Sequence, residues 1–225
     1  MKKLMSLFIA LVWSISASPC FAQDSLVIYD VPKALFYSMH NDDFTVRVRK
    51  PGGKWQELYE YNVKVDQVKA TSHHVENASM CSFDFSGEVE VLVASNKGSI
   101  QQARIRPLSY GIKPYIKGNT ISFRLNQPRN LSVEINGDIF HNLHLFANPI
   151  DDFIPNKNDT NLICFGAGVH RIDSGKLKVP SGKTVYLAGG AVLMGQVLME
   201  GVRDVKLMGL GNIDPSVKMG VRNAN

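Results

Sequence analysis

Apolar and polar residues alternate with a period of two along much of the first two thirds of the chain. The clearest row begins with Phe44, Val46 and Val48, each followed by a polar residue. Similar rows occur at 89–93, 121–125 and 131–135. Successive side chains of a β-strand point to opposite faces, whereas a helix would need a repeat near 3.6 residues. The pattern therefore predicts β-strands with one buried face between residue 24 and about residue 148.

Turn-forming residues separate these rows. They are Pro51-Gly52-Gly53, Ser86-Gly87, Lys117-Gly118-Asn119 and Asn136-Gly137-Asp138. Glycine and asparagine accept the backbone conformations that tight turns between antiparallel strands require. Several short strands separated in this way predict an all-β fold, with an antiparallel β-sandwich over residues 23–148.

Residues from 161 onward carry an internal repeat. Its copies are Leu162-x-Cys164-x-Gly166, Val185-x-Leu187-x-Gly189 and Val205-x-Leu207-x-Gly209, at offsets of 23 and 20 residues. Each copy is a short apolar strand, a glycine turn and a second short strand. Such a unit buries its apolar face only by stacking on a neighbouring copy. The repeat predicts the first rungs of a right-handed parallel β-helix over residues 161–225, with Val205, Leu207 and Ile213 facing inward.

The segment 149–160 separates the two patterns and is rich in proline, asparagine and aspartate. Residues of these types favour turns and loops over regular strands. We therefore predict four parts in chain order: a signal peptide at 1–22, a β-sandwich at 23–148, a linker at 149–160 and the incomplete start of a β-helix at 161–225.

The first 22 residues have the composition of a secretory signal peptide. Lys2 and Lys3 precede an apolar stretch from Leu4 to Ile15, and Cys20 and Ala22 place small residues before a cleavage point. We expect cleavage after Ala22 and an exported product, periplasmic or extracellular. No later apolar run is long enough to span a bilayer, so no membrane span is predicted.

Charge and cysteine content exclude several classes of protein. The formal charge is +5, and two of the lysines lie in the leader, so electrostatics give no case for a nucleic-acid partner. The cysteines show no C-x-x-C spacing, which excludes a zinc ribbon or a thioredoxin-like site. No cofactor or metal is predicted. Cys81 and Cys164 could form a disulfide, but two separate buried thiols are favoured, because the two residues fall in different predicted units.

Two segments resemble the opening rungs of polygalacturonase-like (family 28) glycoside hydrolases. They are Gly166-Ala167-Gly168-Val169-His170-Arg171 with its continuation 177–192, and 205–214, which ends in the G-x-G-x-I-D pattern of that family. The preceding sandwich resembles the N-terminal module of bacterial members, mainly through Phe140-His141-Asn142-Leu143-His144-Leu145-Phe146-Ala147-Asn148-Pro149. Family-49 dextranases have the same order of sandwich and β-helix.

The resemblance implies the N-terminal portion of a secreted enzyme that hydrolyses a polysaccharide with inversion, and the polygalacturonase likeness points to a pectic substrate. The family's catalytic aspartates lie in later rungs, and its motifs are N-x-D, an Asp-Asp pair, G-H-G and R-I-K. The last three are absent after residue 161, and Asn212-Ile213-Asp214 belongs to the G-x-G-x-I-D rung. We therefore assign no catalytic residue and expect this chain to be inactive by itself. The alternative is a non-catalytic carbohydrate-binding or structural β-module.

Several residues suited to catalysis or ligand binding occur in positions that favour structural roles. We expect turns at Asp42-Asp43 and Asp151-Asp152, a surface loop at His73-His74, a sandwich–β-helix contact at His141 and His144, rung corners at Gly166, Gly168, Gly209 and Gly211, and a turn cap at Asp214. The alternatives are a catalytic dyad for Asp151-Asp152, a metal site for His73-His74, a ligand role for His141 and His144, and a substrate contact for Asp214. Trp55, Tyr59 and Tyr61 would share a face on one continuous strand, either in the core or as a sugar-stacking platform.

Overall fold

A computed structural model describes residues 25–35 and 37–215. Within these ranges the chain is all-β, with seventeen strands, two short 3₁₀ turns and no α-helix. The predicted signal peptide and its cleavage after Ala22 lie outside the described residues.

Six strands form the first sheet, in the order β1-β5-β11-β10-β7, with β4 pairing with β5. Their bounds are β1 Leu26–Val27, β4 Tyr61–Lys69, β5 Ser72–Phe85, β7 Ala103–Arg106, β10 Arg129–Ile135 and β11 Asp138–Asn148. All pairs are antiparallel except β5 and β11, which are parallel. The prediction of purely antiparallel pairing is therefore wrong for this sheet. β10 and β11 are consecutive antiparallel strands of this sheet, and β11 lies beside β5 in the same direction.

The second sheet has five antiparallel strands in the order β3-β2-β6-β9-β8. Their bounds are β2 Phe44–Arg49, β3 Gln56–Glu57, β6 Val89–Ser95, β8 Tyr115–Lys117 and β9 Thr120–Leu125. Three of the alternating rows form β2, β6 and β9, and the fourth forms β10. Their apolar side chains are buried as the alternation predicts.

The two sheets pack against each other on one hydrophobic core. Its members include Val46 and Val48 of β2, Val91 and Val93 of β6, Phe83 of β5 and Leu145 of β11, all fully buried. Because β2 and β6 belong to one sheet and β5 and β11 to the other, this core holds the two sheets together.

Six further strands form two parallel three-stranded sheets, β12-β14-β16 and β13-β15-β17. Their bounds are β12 Leu162–Phe165, β13 Gly168–Lys178, β14 Thr184–Leu187, β15 Ala191–Leu198, β16 Lys206–Gly209 and β17 Asn212–Asp214. Each copy of the repeat supplies one strand to each sheet. Val185 and Leu187 of β14 share a second hydrophobic core with Ala191 and Leu193 of β15.

The register of the repeat differs between the two parallel sheets. In the second strands the predicted offsets hold, since Val192 lies opposite Val169 and Asn212. In the first strands the observed offset is 22 residues, and Val185 lies opposite Ile163 and Leu207. The predicted offsets of 23 and 20 are wrong there. The connecting turns have two, three and two residues, so one offset cannot align both strands of a copy.

The register error explains a wrong burial prediction. A shift of one residue moves a side chain to the opposite face of a strand. Cys164 lies opposite Tyr186 and is exposed, whereas Cys81 is completely buried. Both cysteines are free, so the prediction of separate thiols is confirmed and the burial of Cys164 is not. On the last strands, Leu207 and Ile213 lie opposite the buried Val185 and Leu193, so they face inward as predicted. They are 47% and 37% exposed because no further described strand covers them.

Candidate functional site

Tyr29 connects the two units of the chain. It follows β1, and its ring lies against Gly189, in the turn between β14 and β15. A Cβ at Gly189 would fall 2.0 Å from the Tyr29 Cζ. The Tyr29 hydroxyl donates to Asp84 Oδ2, and Asn148 Nδ2 donates to Asp84 Oδ1 at 3.2 Å. The absence of a side chain at Gly189 therefore lets the antiparallel unit reach the turn of the parallel unit.

A second tyrosine–aspartate pair lies beside the first. The Tyr186 hydroxyl of β14 donates to Asp151 Oδ2 at 2.7 Å, and the Phe153 ring packs on the Tyr186 ring with centroids 4.6 Å apart. Asp151 and Phe153 both belong to the segment 149–160, which was predicted as a linker. Its first residues are therefore held against the parallel sheet, whereas residues from Asn156 to Asn161 are exposed.

The electrostatics of this junction favour a structural role over acid–base catalysis. Burial raises the pKa of Asp84, against the opposing effect of the hydrogen bonds from Tyr29 and Asn148. Burial and the bond to Asp151 raise the pKa of Tyr186 to about 12. Asp84 is only 1% exposed, so neither water nor a sugar reaches its carboxylate from solvent. Both tyrosines remain neutral donors over the physiological pH range.

A groove of about 530 Å³ lies next to the junction, and its volume is that of an ordinary ligand pocket. We call it the junction groove. It lies between β4 and β5 of the antiparallel unit and β17 of the parallel unit. Its lining residues are Ser38, Met39, Tyr61, Asn62, Val63, Lys64, Met80, Asn212, Ile213, Asp214 and Pro215. Because its walls come from both units, it exists only while the junction holds them together.

Polar groups suited to binding hydroxyl groups converge in the junction groove. The Tyr61 hydroxyl and the Asn212 side chain form a hydrogen bond, and burial raises the pKa of Tyr61. Asn62 Oδ1 is buried and has no hydrogen-bond partner among the described residues. Lys64 Nζ donates to Asn77 Oδ1 at 2.6 Å and is exposed. A buried acceptor without a donor is costly. The Asn62 oxygen has almost no exposed surface, so the polar groups that a ligand in the groove reaches are those of Lys64, Asn212 and Asp214.

The junction groove does not contain a catalytic carboxylate pair among its described residues. Asp214, the last residue of β17, is the one carboxylate in its lining. Inverting hydrolysis of a glycosidic bond uses two carboxyl groups about 6.5–9.5 Å apart. The groove as described can hold a sugar but lacks the second group that this reaction needs.

The Asp42-Asp43 pair lies outside the strands, whereas the His73-His74 pair lies within one. Asp42-Asp43 precedes β2, as expected for a turn. His73-His74 lies within β5 and not in a loop, which corrects that prediction; β4 continues to Lys69, so the hairpin turn is very short. His73 Nδ1 lies 3.0 Å from Asp66 Oδ2, and His74 pairs with Glu76. In the described part of the chain, no group of three or more metal-ligating side chains could hold an ion.

His141 makes contacts within the first sheet instead of with the parallel unit. Its ring nitrogens lie 2.9 Å from Asp138 Oδ2 and 3.1 Å from Glu76 Oε2, and the hydrogen bond to Asp138 raises the pKa of His141. The predicted contact with the β-helix is therefore wrong for His141. His144 is half-buried on β11, and burial lowers its pKa.

The three aromatic residues proposed as one face do not lie on one strand. Trp55 precedes β3, with the Arg49 guanidinium 4.2 Å from its ring centroid. Tyr59 lies between β3 and β4, edge-on to Tyr61 at 4.8 Å between centroids. Tyr61 is buried and lines the junction groove. The core role is thus correct for Tyr61, while Trp55 remains 37% exposed.

One of the two predicted glycine turns leaves no room for a side chain. Gly166 and Gly168 lie at the turn from β12 to β13, and Gly209 and Gly211 at the turn from β16 to β17, as predicted. A Cβ at Gly209 would fall 2.0 Å from a backbone oxygen of β14, at a φ of +106°. Sequence reasoning missed Tyr29, whose role depends on a contact with residues 160 positions away; the Gly189-Gly190 doublet was the available signal.

Comparisons with known proteins relate the chain to a glycoside hydrolase by fold. Dex49A from Penicillium minioluteum, a family-49 dextranase, matches with a TM-score of 0.53 and 17% sequence identity. The match covers 77% of this chain and 46% of the other, so this chain spans about half of that structure's length. No protein-family model matches, and no curated protein matches. The chain therefore has a glycoside hydrolase-like, all-β fold.

Within residues 25–35 and 37–215, no helix has both the length and the apolar composition to cross a bilayer.

Proposed function

We propose that this chain is the N-terminal portion of a secreted, polysaccharide-degrading glycoside hydrolase. In this proposal residues 23–148 form a β-sandwich, and residues from 161 onward form the opening rungs of a right-handed parallel β-helix. The leader composition supports export to the periplasm or the extracellular space.

The observation that carries the proposal is the joined architecture. In-register parallel strands follow two sheets in which all pairs but one are antiparallel, and the Tyr29–Gly189 contact fixes one unit on the other. The likeness to Dex49A extends over 77% of the chain, which is more than either unit contains alone. A fold likeness that spans both units supports a common layout better than one confined to a sandwich, because sandwiches serve many unrelated functions.

Within this function, the junction groove is the place for sugar binding. Asn212, Asp214 and Lys64 offer hydrogen-bond donors and acceptors in a groove that is open to solvent. A single carboxylate there favours binding without hydrolysis by this chain. The same observation favours the second candidate, a non-catalytic carbohydrate-binding module. The polysaccharide, pectic or glucan, is to be decided by experiment.

Binding and turnover on two polymers test the proposal. We expect the chain to be retarded in native gels that contain dextran or polygalacturonate, and to release no reducing sugar from either polymer. Asn212→Ala should reduce the retardation by dextran several-fold, and Lys157→Ala, on the exposed part of the segment before β12, should not. Absence of retardation by both polymers would contradict the proposal. Turnover abolished by a substitution within 25–215 would contradict the absence of a catalytic residue.

Export has its own test. The intact mass of the protein recovered from the culture medium or the periplasm should correspond to a chain that begins at Gln23. A product that keeps Met1 and stays in the cytoplasm would contradict the secretion part of the proposal.

A further inference from the structure

The outer face of the five-stranded sheet carries a charged row that crosses three strands. The antiparallel register places Arg49 of β2 opposite Glu90 of β6, and Glu90 opposite Arg124 of β9. Their sequence neighbours Val48 and Phe123 are buried in the core, so the charged side chains lie on the other face. The Arg49 Nε and Arg124 Nη2 atoms lie 2.6 and 2.8 Å from the two oxygens of Glu90.

Exposed aromatic residues lie at both edges of this row. Trp55, just before the edge strand β3, is 37% exposed, and Tyr115, on the opposite edge strand β8, is 69% exposed. Both line one groove of about 430 Å³, which we call the outer groove. With neighbouring strands about 4.8 Å apart, the sheet from β3 to β8 is roughly 19 Å wide, enough for several sugar rings in a row.

The outer groove has an excess of positive charge. Its charged lining consists of the cations Arg49, Lys113 and Arg124 and the carboxylate Glu90. Glu90 is shared by both arginines, and Arg124 also lies 3.3 Å from Glu88. Lys113 is exposed and forms no ion pair with any described residue. The arginine side chains are therefore held in place by Glu90, while cationic charge remains available to a ligand.

We propose that the outer groove binds an acidic polysaccharide whose sugars carry carboxylates. Aromatic rings provide flat apolar surfaces for sugar rings at Trp55 and Tyr115. Arginine presents parallel N–H groups that match a carboxylate, and Arg124 and Lys113 supply the complementary charge. Arg49 covers one face of Trp55 and fixes the ring, which lowers the entropy lost on binding.

This site goes beyond the proposed function and is separate from the junction groove. The junction groove lies on the outer side of the six-stranded sheet, whereas the outer groove lies on the other side of the two-sheet core. Binding here requires neither hydrolysis nor the parallel strands. It would hold the chain on an acidic polysaccharide.

Affinity electrophoresis of the full chain tests the proposal. The probes are two uronate polymers, alginate and polygalacturonate, with dextran as the neutral polymer. We expect both uronate polymers to retard the chain, and retardation to fall as salt is raised, since exposed charges are screened. Trp55→Ala and Arg124→Gln should each weaken binding about tenfold, the loss typical of a central contact residue. Tyr37→Ala removes an aromatic residue that is 91% exposed outside the groove and should leave binding unchanged.

Three results would overturn the proposal. Uronate binding that survives Trp55→Ala and Arg124→Gln but is lost in Asn212→Ala would assign the polymer to the junction groove. Equal retardation by a DNA oligonucleotide of the same charge density would indicate unspecific attraction. No retardation by either uronate polymer would remove the ligand class, and dextran binding through the junction groove would leave the proposed function intact. Unchanged circular dichroism and thermal midpoints would exclude unfolding of the variants.

Discussion

Glu60 is a carboxylate in the interior of the antiparallel unit, and it gives a quantitative test of the structure. It is 4% exposed, and its Oε1 accepts a hydrogen bond from the Val46 backbone N–H at 2.7 Å. The short strand β3 pairs with β2 only at Arg47 and Val48, so the N–H of Val46 needs another acceptor. Burial, the main cause, raises the pKa of Glu60 from 4.5 to about 7.

The shift predicts how the stability of the fold depends on pH. Each pKa unit corresponds to about 1.4 kcal/mol, so the ionised form of Glu60 costs the folded state roughly 3 kcal/mol. Because the pKa is higher in the folded state, the protonated form of Glu60 stabilises the fold relative to the ionised form. This contribution is fully present below pH 4.5 and is lost as the pH rises through about 7.

Urea unfolding at pH values from 4.5 to 8.5 measures this effect. We expect Glu60→Gln to remove most of the decline attributable to this residue, because glutamine keeps the acceptor for Val46 and cannot ionise. Glu57→Gln changes an exposed glutamate on the neighbouring strand. Its charge is a minor cause of the raised pKa of Glu60, so this variant should keep most of the wild-type pH dependence. An equal pH dependence in wild type and Glu60→Gln would refute the assignment, since the two proteins differ at no other titrating group.

Glycine substitutions test the close contacts between and within the units, and cysteine labelling tests which thiols are buried. Gly189→Ala should cost about 1–3 kcal/mol in urea unfolding, because the Tyr29 ring must move, and Gly209→Ala should cost more, because the blocking atom is backbone. A matched Gly166→Ala change, where a Cβ meets nothing within 4 Å, should be nearly neutral; equal effects would contradict the close approaches. Iodoacetamide followed by peptide mapping should label Cys164 in the folded protein and not the buried Cys81, and equal labelling would contradict their different burial.

The sequence predicted the strands well where apolar and polar residues alternate and the apolar face is buried in the core. The alternating rows at 44–49 and 121–125 became β2 and β9 because period two and burial agree. It predicted pairing less well. The parallel contact of β5 with β11 depends on strands far apart in sequence, and nothing in either strand specifies a parallel partner.

The candidate sites were the least predictable part. The outer groove joins Trp55 to Tyr115 across five strands, so its residues become neighbours only through sheet order. The sequence singled out Trp55, but it grouped that residue with Tyr59 and Tyr61, which lie elsewhere. The junction groove likewise needs Tyr61 beside Asn212, a contact between units that no local pattern encodes.

The Tyr29 contact makes the proposed sugar-binding site depend on both units. The junction groove has one wall on β4 and β5 and the other on β17, so neither unit alone can form it. Tyr29 also satisfies Asp84, whose carboxylate is almost completely buried, and the loss of that donor would leave a buried charge with fewer partners. A sandwich cut off after Asn148 would therefore lose the surface on which Tyr29 packs, in addition to the wall at β17. The close packing of Tyr29 is the physical reason for a glycine at 189, where any side chain would push the tyrosine ring away and loosen the junction that the proposed site needs.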